Sequence, residues 1–338
     1  MPSRCGGVED VVAKEGLWIT DPETGEARLL YYDELDEEAR KILGQPIGGF
    51  CFPAGVFSQL KLPSTPFYIR DWLPRQGKAI IYAPAKAGKS YLSIQIARHI
   101  GIGEAIFGIP VNQGRVLYIQ FELGAEVLQA RFKSTGFDYD NVYVGTHFSL
   151  KLDKTAGQKY LEQAIDAIEP NVLILDPLYK AITGDENESS DMAKVCDYLD
   201  SLIEAFGISI LVIHHSGKDP SRGGRGSSIL EDWVDSLIEL KKTSHAGESL
   251  KVKVAPRLLR HAELPPEAIE VVMDNYEFRL ANEPSPEDIV IAHARKHGSV
   301  LPKDLLEQVS NTTLYKTLAD LCKCGVLKKS GRGEYKLC

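Results

Sequence analysis

At 338 residues the chain has room for two domains. Its composition, 43% hydrophobic and 25% charged with 29 glycines, excludes a collagen-like, low-complexity or disordered polypeptide, and no run nears the ~18 apolar residues of a membrane span. A net charge of −8 argues against a protein that coats nucleic acid over its whole surface, and the N-terminal segment lacks the apolar core of a signal peptide, so a cytoplasmic chain is expected.

Residues 1–65 pair a charged stretch, 33–43, with a Gly/Pro/Phe-rich one, 44–66. The first is predicted to be helical, but no period persists, and the segment reads as an N-terminal extension. Residues 66–283 alternate short β-branched runs with helical patterns, the signature of strands joined by helical crossovers. Strands are expected at 78–82, 115–121, 141–145, 172–176, 209–214, 236–240 and 250–255. Helices are expected at 89–102, 125–135, 156–168 and 189–206. Near-continuous apolar runs such as VLIL and ILVI fit a mostly parallel, twisted sheet covered on both faces, which makes the core an α/β domain.

A Pro/Ser-rich linker at 283–286 separates this core from residues 284–338. There, helical patterns at 287–296, 302–308 and 311–324 precede short strands at 326–329 and 334–337, the order of a small winged helix-turn-helix. Leu305, Leu314, Leu318, Leu321 and Val326 are its expected core. Nine Lys and Arg against six Asp and Glu give it a net +3, which leaves −11 for the rest of the chain. In a winged helix the third helix enters the major groove and the hairpin meets the backbone, which makes Thr312, Lys316, Lys328, Lys329 and Arg332 candidate DNA contacts. Docking onto a protein partner is the alternative use of such a module. The six cysteines are too scattered for a disulfide framework, and Cys322 and Cys324 stand too close together for a zinc ribbon.

The strongest chemical signal is Ala83-Pro84-Ala85-Lys86-Ala87-Gly88-Lys89-Ser90, set between a predicted strand and a predicted helix. In a phosphate loop, backbone N–H groups and the helix N-terminus surround the phosphates, a lysine supplies a point charge and a hydroxyl ligates Mg²⁺. Lys89 and Ser90 match those roles. Ala83 stands where glycine is usual, so the backbone there must tolerate a Cβ. Downstream, the apolar strand VLILD ends in Asp176, a carboxylate placed to organise the hydrated metal. Glu122 ends the strand before it, where it can polarise a water or simply favour a helix start.

The ordered segments YIRDWLPRQGKAIIYAPAKAGKS, VLYIQFELGAEVLQARF, VLILDPLYKAITGDENESSDMAKV, ILVIHHSGK and RGSSILEDWVDSLIEL resemble the RecA-like P-loop ATPases of the plasmid RepA hexameric-helicase type over about residues 66–280. The resemblance implies ATP and Mg²⁺ as ligands, with residues 83–91, Tyr91 included, around the nucleotide. It implies Glu122 as catalytic glutamate, Asp176 as metal carboxylate, and His214 and His215 as a γ-phosphate sensor. It also implies a homo-oligomer, of hexameric type, in which Arg257 or Arg260 reaches the neighbouring subunit's ATP. The Gly-rich basic stretch 216–228, with Lys218, Arg222 and Arg225, is polar enough to be a solvated loop and basic enough to track single-stranded DNA. Three functions follow as expectations: a replicative helicase or translocase, a recombinase or recombination mediator, and a nucleotide-switched DNA-binding regulator.

Overall fold

The computed structural model describes residues 16–20, 27–31, 54–58 and 66–338, apart from 136, 147–148, 185–188, 216–224, 246–247, 262–265, 275, 307, 310 and 332. Near the N-terminus, β1 (Gly16–Thr20) and β2 (Ala27–Tyr31) pair as an antiparallel hairpin, followed by the single turn α1 (Ala54–Phe57). A second small hairpin, β3 (Phe67–Ile69) with β4 (Leu73–Pro74), leads into the main sheet.

Six parallel strands form the centre of that sheet: β5 (Lys78–Ala83), β6 (Val116–Gln120), β7 (Val142–Thr146), β8 (Val172–Asp176), β9 (Ser209–His215) and β10 (Ser236–Lys242). The crossovers carry α2 (Lys89–Ile102), α3 (Ala125–Thr135), α4 (Thr155–Ile168), α5 (Ser189–Phe206) and α6 (Arg225–Trp233). Three antiparallel strands, β11 (Lys251–Leu259), β12 (Ile269–Asp274) and β13 (Glu277–Leu280), complete the order β13-β12-β11-β10-β5-β9-β8-β6-β7.

Successive strand residues point to opposite faces, so a run that is apolar throughout needs cover on both. That is how these runs are used. Ile81, Ile174, Leu211 and Ile213 pack with Leu92, Ile96 and Ile100 of α2 and Leu128 of α3. Their neighbours Ile80, Leu173, Leu175, Ile210 and Val212 face the other way, onto α4 and α5 through Leu161, Ile165, Val195 and Leu199.

Beyond residue 285 the chain packs on a third cluster, which includes Val290, Leu305, Leu314, Leu318 and Leu321. Helix α7 (Pro286–His297) opens with a capping box between Ser285 and Asp288 and stops at Gly298 in the left-handed region. A short 3-10 turn (Pro302–Asp304) leads to α8 (Asn311–Lys323) and the hairpin β14 (Leu327–Gly331) with β15 (Glu334–Leu337). Lys316 of α8 donates to the Ser134 carbonyl at the end of α3, 3.0 Å away, which joins this unit to the main sheet's layers.

Several expectations are corrected. The helix expected at 302–308 is a single 3-10 turn, because Leu305 leaves helical geometry at φ −119 and ψ 0. Arg225, expected in a loop, opens α6. The β1–β2 and β12–β13 hairpins carried no clear signal. In β12 and β13 the residues Glu270, Asp274, Glu277 and Arg279 interrupt the apolar pattern, as suits strands at a sheet edge. The predicted helix at 33–43 lies outside the described residues. Among the described residues, no helix is long and apolar enough to cross a membrane.

Candidate active site

In parallel sheets the carboxyl ends of the strands gather functional groups, and here the register decides which ones meet. Ala83 pairs with His215 and Tyr82 with His214, while Gln120 pairs with Asp176. Because β9 lies between β5 and β8, His215 stands between the 83–90 loop and the Asp176 strand.

Ala83 is the last residue of β5, in extended backbone, which is why no glycine is needed there. The sharp bends fall later, at Lys86 with φ 63 and at Gly88 with φ 83. Gly88 has a second reason to be glycine, since a Cβ there would lie 2.6 Å from the Phe278 ring of β13. Lys89, only 6% exposed, folds back along the loop. Its ammonium donates to the Ala83 carbonyl (2.8 Å), the Pro84 carbonyl (3.0 Å) and His215 Nδ1 (3.0 Å). Burial brings its pKa down to about 8, against the opposing charges of Asp176 and Glu122.

Asp176 is buried among donors. Its Oδ2 accepts from Tyr118 Oη (2.5 Å), Ser93 Oγ (3.2 Å) and Gln120 Nε2 (3.3 Å). Burial raises its pKa, while hydrogen bonds from Tyr118, Ser90 and Ser93 work to lower it. Glu122 is exposed just past β6, and its backbone N–H is held by Gln120 Oε1 at 2.8 Å. The Tyr179 hydroxyl donates to its Oε1 at 3.4 Å.

The site suits a phosphate chain with a hard divalent cation. It offers a helix N-terminus, a buried ammonium, one hydroxyl at Ser90 and one carboxylate at Asp176. Among the described residues no group of three or more His, Cys, Asp or Glu is poised around a metal. One hydroxyl and one carboxylate match Mg²⁺, which keeps much of its water and takes oxygens from phosphate. His214 Nδ1 is buried with no hydrogen-bond partner at the same strand end.

Burial, assisted by the charges of His215 and Lys89, depresses the His214 pKa to about 4. The folded state therefore favours neutral imidazole, and unfolding takes up a proton below pH ~6.5. This contribution, at most about 3 kcal/mol, is complete above pH ~6.5 and is lost as the pH falls through about 4. Urea unfolding of wild type and His214→Asn between pH 4 and 7 should show a shallower acid loss in the variant; parallel curves would remove His214 from the acid limb.

A family model described as an AAA domain matches residues 53–221, half of the chain. The chain belongs to the AAA domain family. It is accordingly a P-loop ATPase-type protein, with the phosphate loop at the carboxyl edge of its mostly parallel sheet. Among solved structures, the crystal structure of a KaiC-like protein from the hyperthermophilic archaeon Pyrococcus horikoshii OT3 aligns at 15% identity with a TM-score of 0.48. The alignment covers 66% of this chain and 98% of that one.

Within this AAA domain chain, Lys89, Ser90, Asp176, Glu122, His214 and His215 come together at one edge, and other candidates do not. The Tyr91 ring faces away along α2, with the Arg131 guanidinium 4.9 Å from its centroid and the Tyr276 ring at 5.8 Å. Arg257 is paired with Glu239 across β10 and β11, its Nε 2.7 Å from Oε2, and Arg260 donates to the Asp232 carbonyl. Lys218, Arg222 and Arg332 lie outside the described residues. Lys328 and Lys329 are exposed on β14, while Lys316 is turned toward α3. Sequence reasoning missed Ser93, Tyr118, Gln120 and Tyr179. A usable signal existed for two of them: Tyr118 and Gln120 are two apart on β6 and so share a face.

Proposed function

We propose that this AAA domain protein is a Mg²⁺-dependent ATPase that acts on DNA, as an oligomeric replicative helicase or translocase of the RepA type. The observation that carries the reading is the meeting of Lys89, Asp176, Glu122 and His215 at the carboxyl edge, where His215 ends the strand that leads in sequence into the basic segment.

In this reading Lys89 gives up His215 and the loop carbonyls to take the β- and γ-phosphate oxygens, while the N-terminus of α2 supplies N–H donors. Ser90 and Asp176 would hold Mg²⁺, which when bound neutralises phosphate charge. The donors on Asp176 Oδ2 keep that carboxylate in one orientation. Glu122 accepts the proton of the attacking water. His215, released by Lys89, relays the change along β9 to residues 216–224, where Lys218 and Arg222 would follow a single strand of DNA. A homo-oligomer, hexameric by the resemblance, completes the site if Arg257 exchanges Glu239, or Arg260 the Asp232 carbonyl, for a neighbour's nucleotide.

We further read residues 284–338 as a winged-helix domain following the 66–283 ATPase domain, with Lys328 and Lys329 on its solvent-facing wing. The Lys316 contact with Ser134 favours a second reading for that unit, as a nucleotide-switched regulator. The deciding experiment is steady-state ATP hydrolysis at low salt with and without a single-stranded oligonucleotide. Stimulation of about tenfold or more is expected, since strand contact at Lys218 and Arg222 is read by β9. Unstimulated turnover combined with sequence-specific duplex binding would select the regulator.

A further inference from the structure

Building on the reading of Glu122 as the group that activates water, we propose that Tyr179 is a positioning residue that sets Glu122 and His215 relative to each other. Just past Asp176 the chain turns through a one-turn 3-10 helix, Leu178–Ala181. Residues three apart eclipse in that geometry, and Leu178 and Ala181 are both fully buried, which anchors the turn on one side. Tyr179 lies off that side, half-buried, between the two ends of the site.

Besides the Lys180 ammonium 5.1 Å from its ring centroid, Tyr179 makes two contacts of different kinds within the site. The hydroxyl donates to Glu122 Oε1 at 3.4 Å. The ring stands edge-to-face against the His215 imidazole, with centroids 5.3 Å apart and planes at 85°. His215 Nδ1 in turn accepts from the Lys89 ammonium at 3.0 Å, and burial, helped by the Lys89 charge, lowers the His215 pKa, which keeps the imidazole an acceptor. A single aromatic side chain thus spans from the lysine's partner to the carboxylate. A hydroxyl at 3.4 Å orients its acceptor more than it binds it, and such contacts tighten when substrate is bound. When Lys89 leaves His215 for phosphate, the imidazole is freed to shift against the Tyr179 ring, and the hydroxyl passes that shift to Glu122.

Tyr179→Phe keeps the ring and removes only the hydroxyl, so the fold and the His215 contact remain. In the full-length chain, kcat for ATP hydrolysis should fall about tenfold, with affinity for a fluorescent ATP analogue unchanged within about twofold. In a Glu122→Asp background, where the shorter carboxylate is out of the hydroxyl's reach, the same change should do nothing further. Three outcomes overturn the proposal: turnover of Tyr179→Phe at the wild-type rate, an equal loss of ATP affinity and kcat, or a tenfold loss repeated in the Glu122→Asp background. If instead Glu122→Gln turns over at the wild-type rate, the assignment of Glu122 itself fails, whatever Tyr179 does.

Discussion

Replacing Lys89 by alanine is expected to reduce ATP hydrolysis by at least a factor of about 10²–10³ without unfolding the protein. Among the described residues the ammonium is the one buried positive charge beside the phosphate loop, and its hydrogen-bond partners are two loop carbonyls and His215 rather than a carboxylate. Removing it withdraws charge from the position where the transferring phosphoryl group develops its own. Stability should behave differently. Burial disfavours the charged form strongly enough to bring its pKa down to about 8, so the native state gains by losing that charge, while the Ala83 and Pro84 carbonyls lose a donor. The melting temperature should therefore hold or rise. Phosphate release and thermal melting of the purified variant check both halves, and retained turnover would sink the assignment of this loop.

The second large effect is expected from Glu122→Gln, which should keep nucleotide binding and lose turnover by roughly 10²–10⁴. Glutamine matches glutamate in size but cannot accept a proton, and its amide oxygen can still receive the Tyr179 hydroxyl. The local backbone does not depend on the carboxylate, because the Glu122 N–H is held by Gln120 Oε1 at 2.8 Å. Single-turnover hydrolysis alongside equilibrium binding separates the two steps. An unchanged rate would return Glu122 to a residue that merely favours the start of α3.

Much of the fold was legible because it is written locally. Strand β8 and helices α2, α3 and α5 have the bounds expected from periodicity, since two-sided burial leaves apolar runs and left-handed glycines such as Gly88 and Gly103 flank α2. The 83–90 loop was legible for the same reason: all its parts lie within eight residues. Weakly amphipathic edge elements were not. The β12–β13 hairpin alternates poorly, yet it places Phe278 against Gly88 and ties its backbone to Gln95 through bonds of 2.8 and 3.0 Å.

The chain's order of residues alone therefore identifies a phosphate loop, the carboxylates at two strand ends and a histidine pair at a third. Which of these touch was decided only in three dimensions. Tyr118 meets Asp176 across 58 positions of sequence, Ser93 meets it across 83, and Lys89 meets His215 across 126. Such contacts depend on strand order and register, and hydrophobic periodicity specifies which face a residue takes without specifying which strand lies beside it. The placement of β9 between β5 and β8 is what brings the histidine to the lysine, and the turn after Asp176 is what brings Tyr179 to both histidine and glutamate.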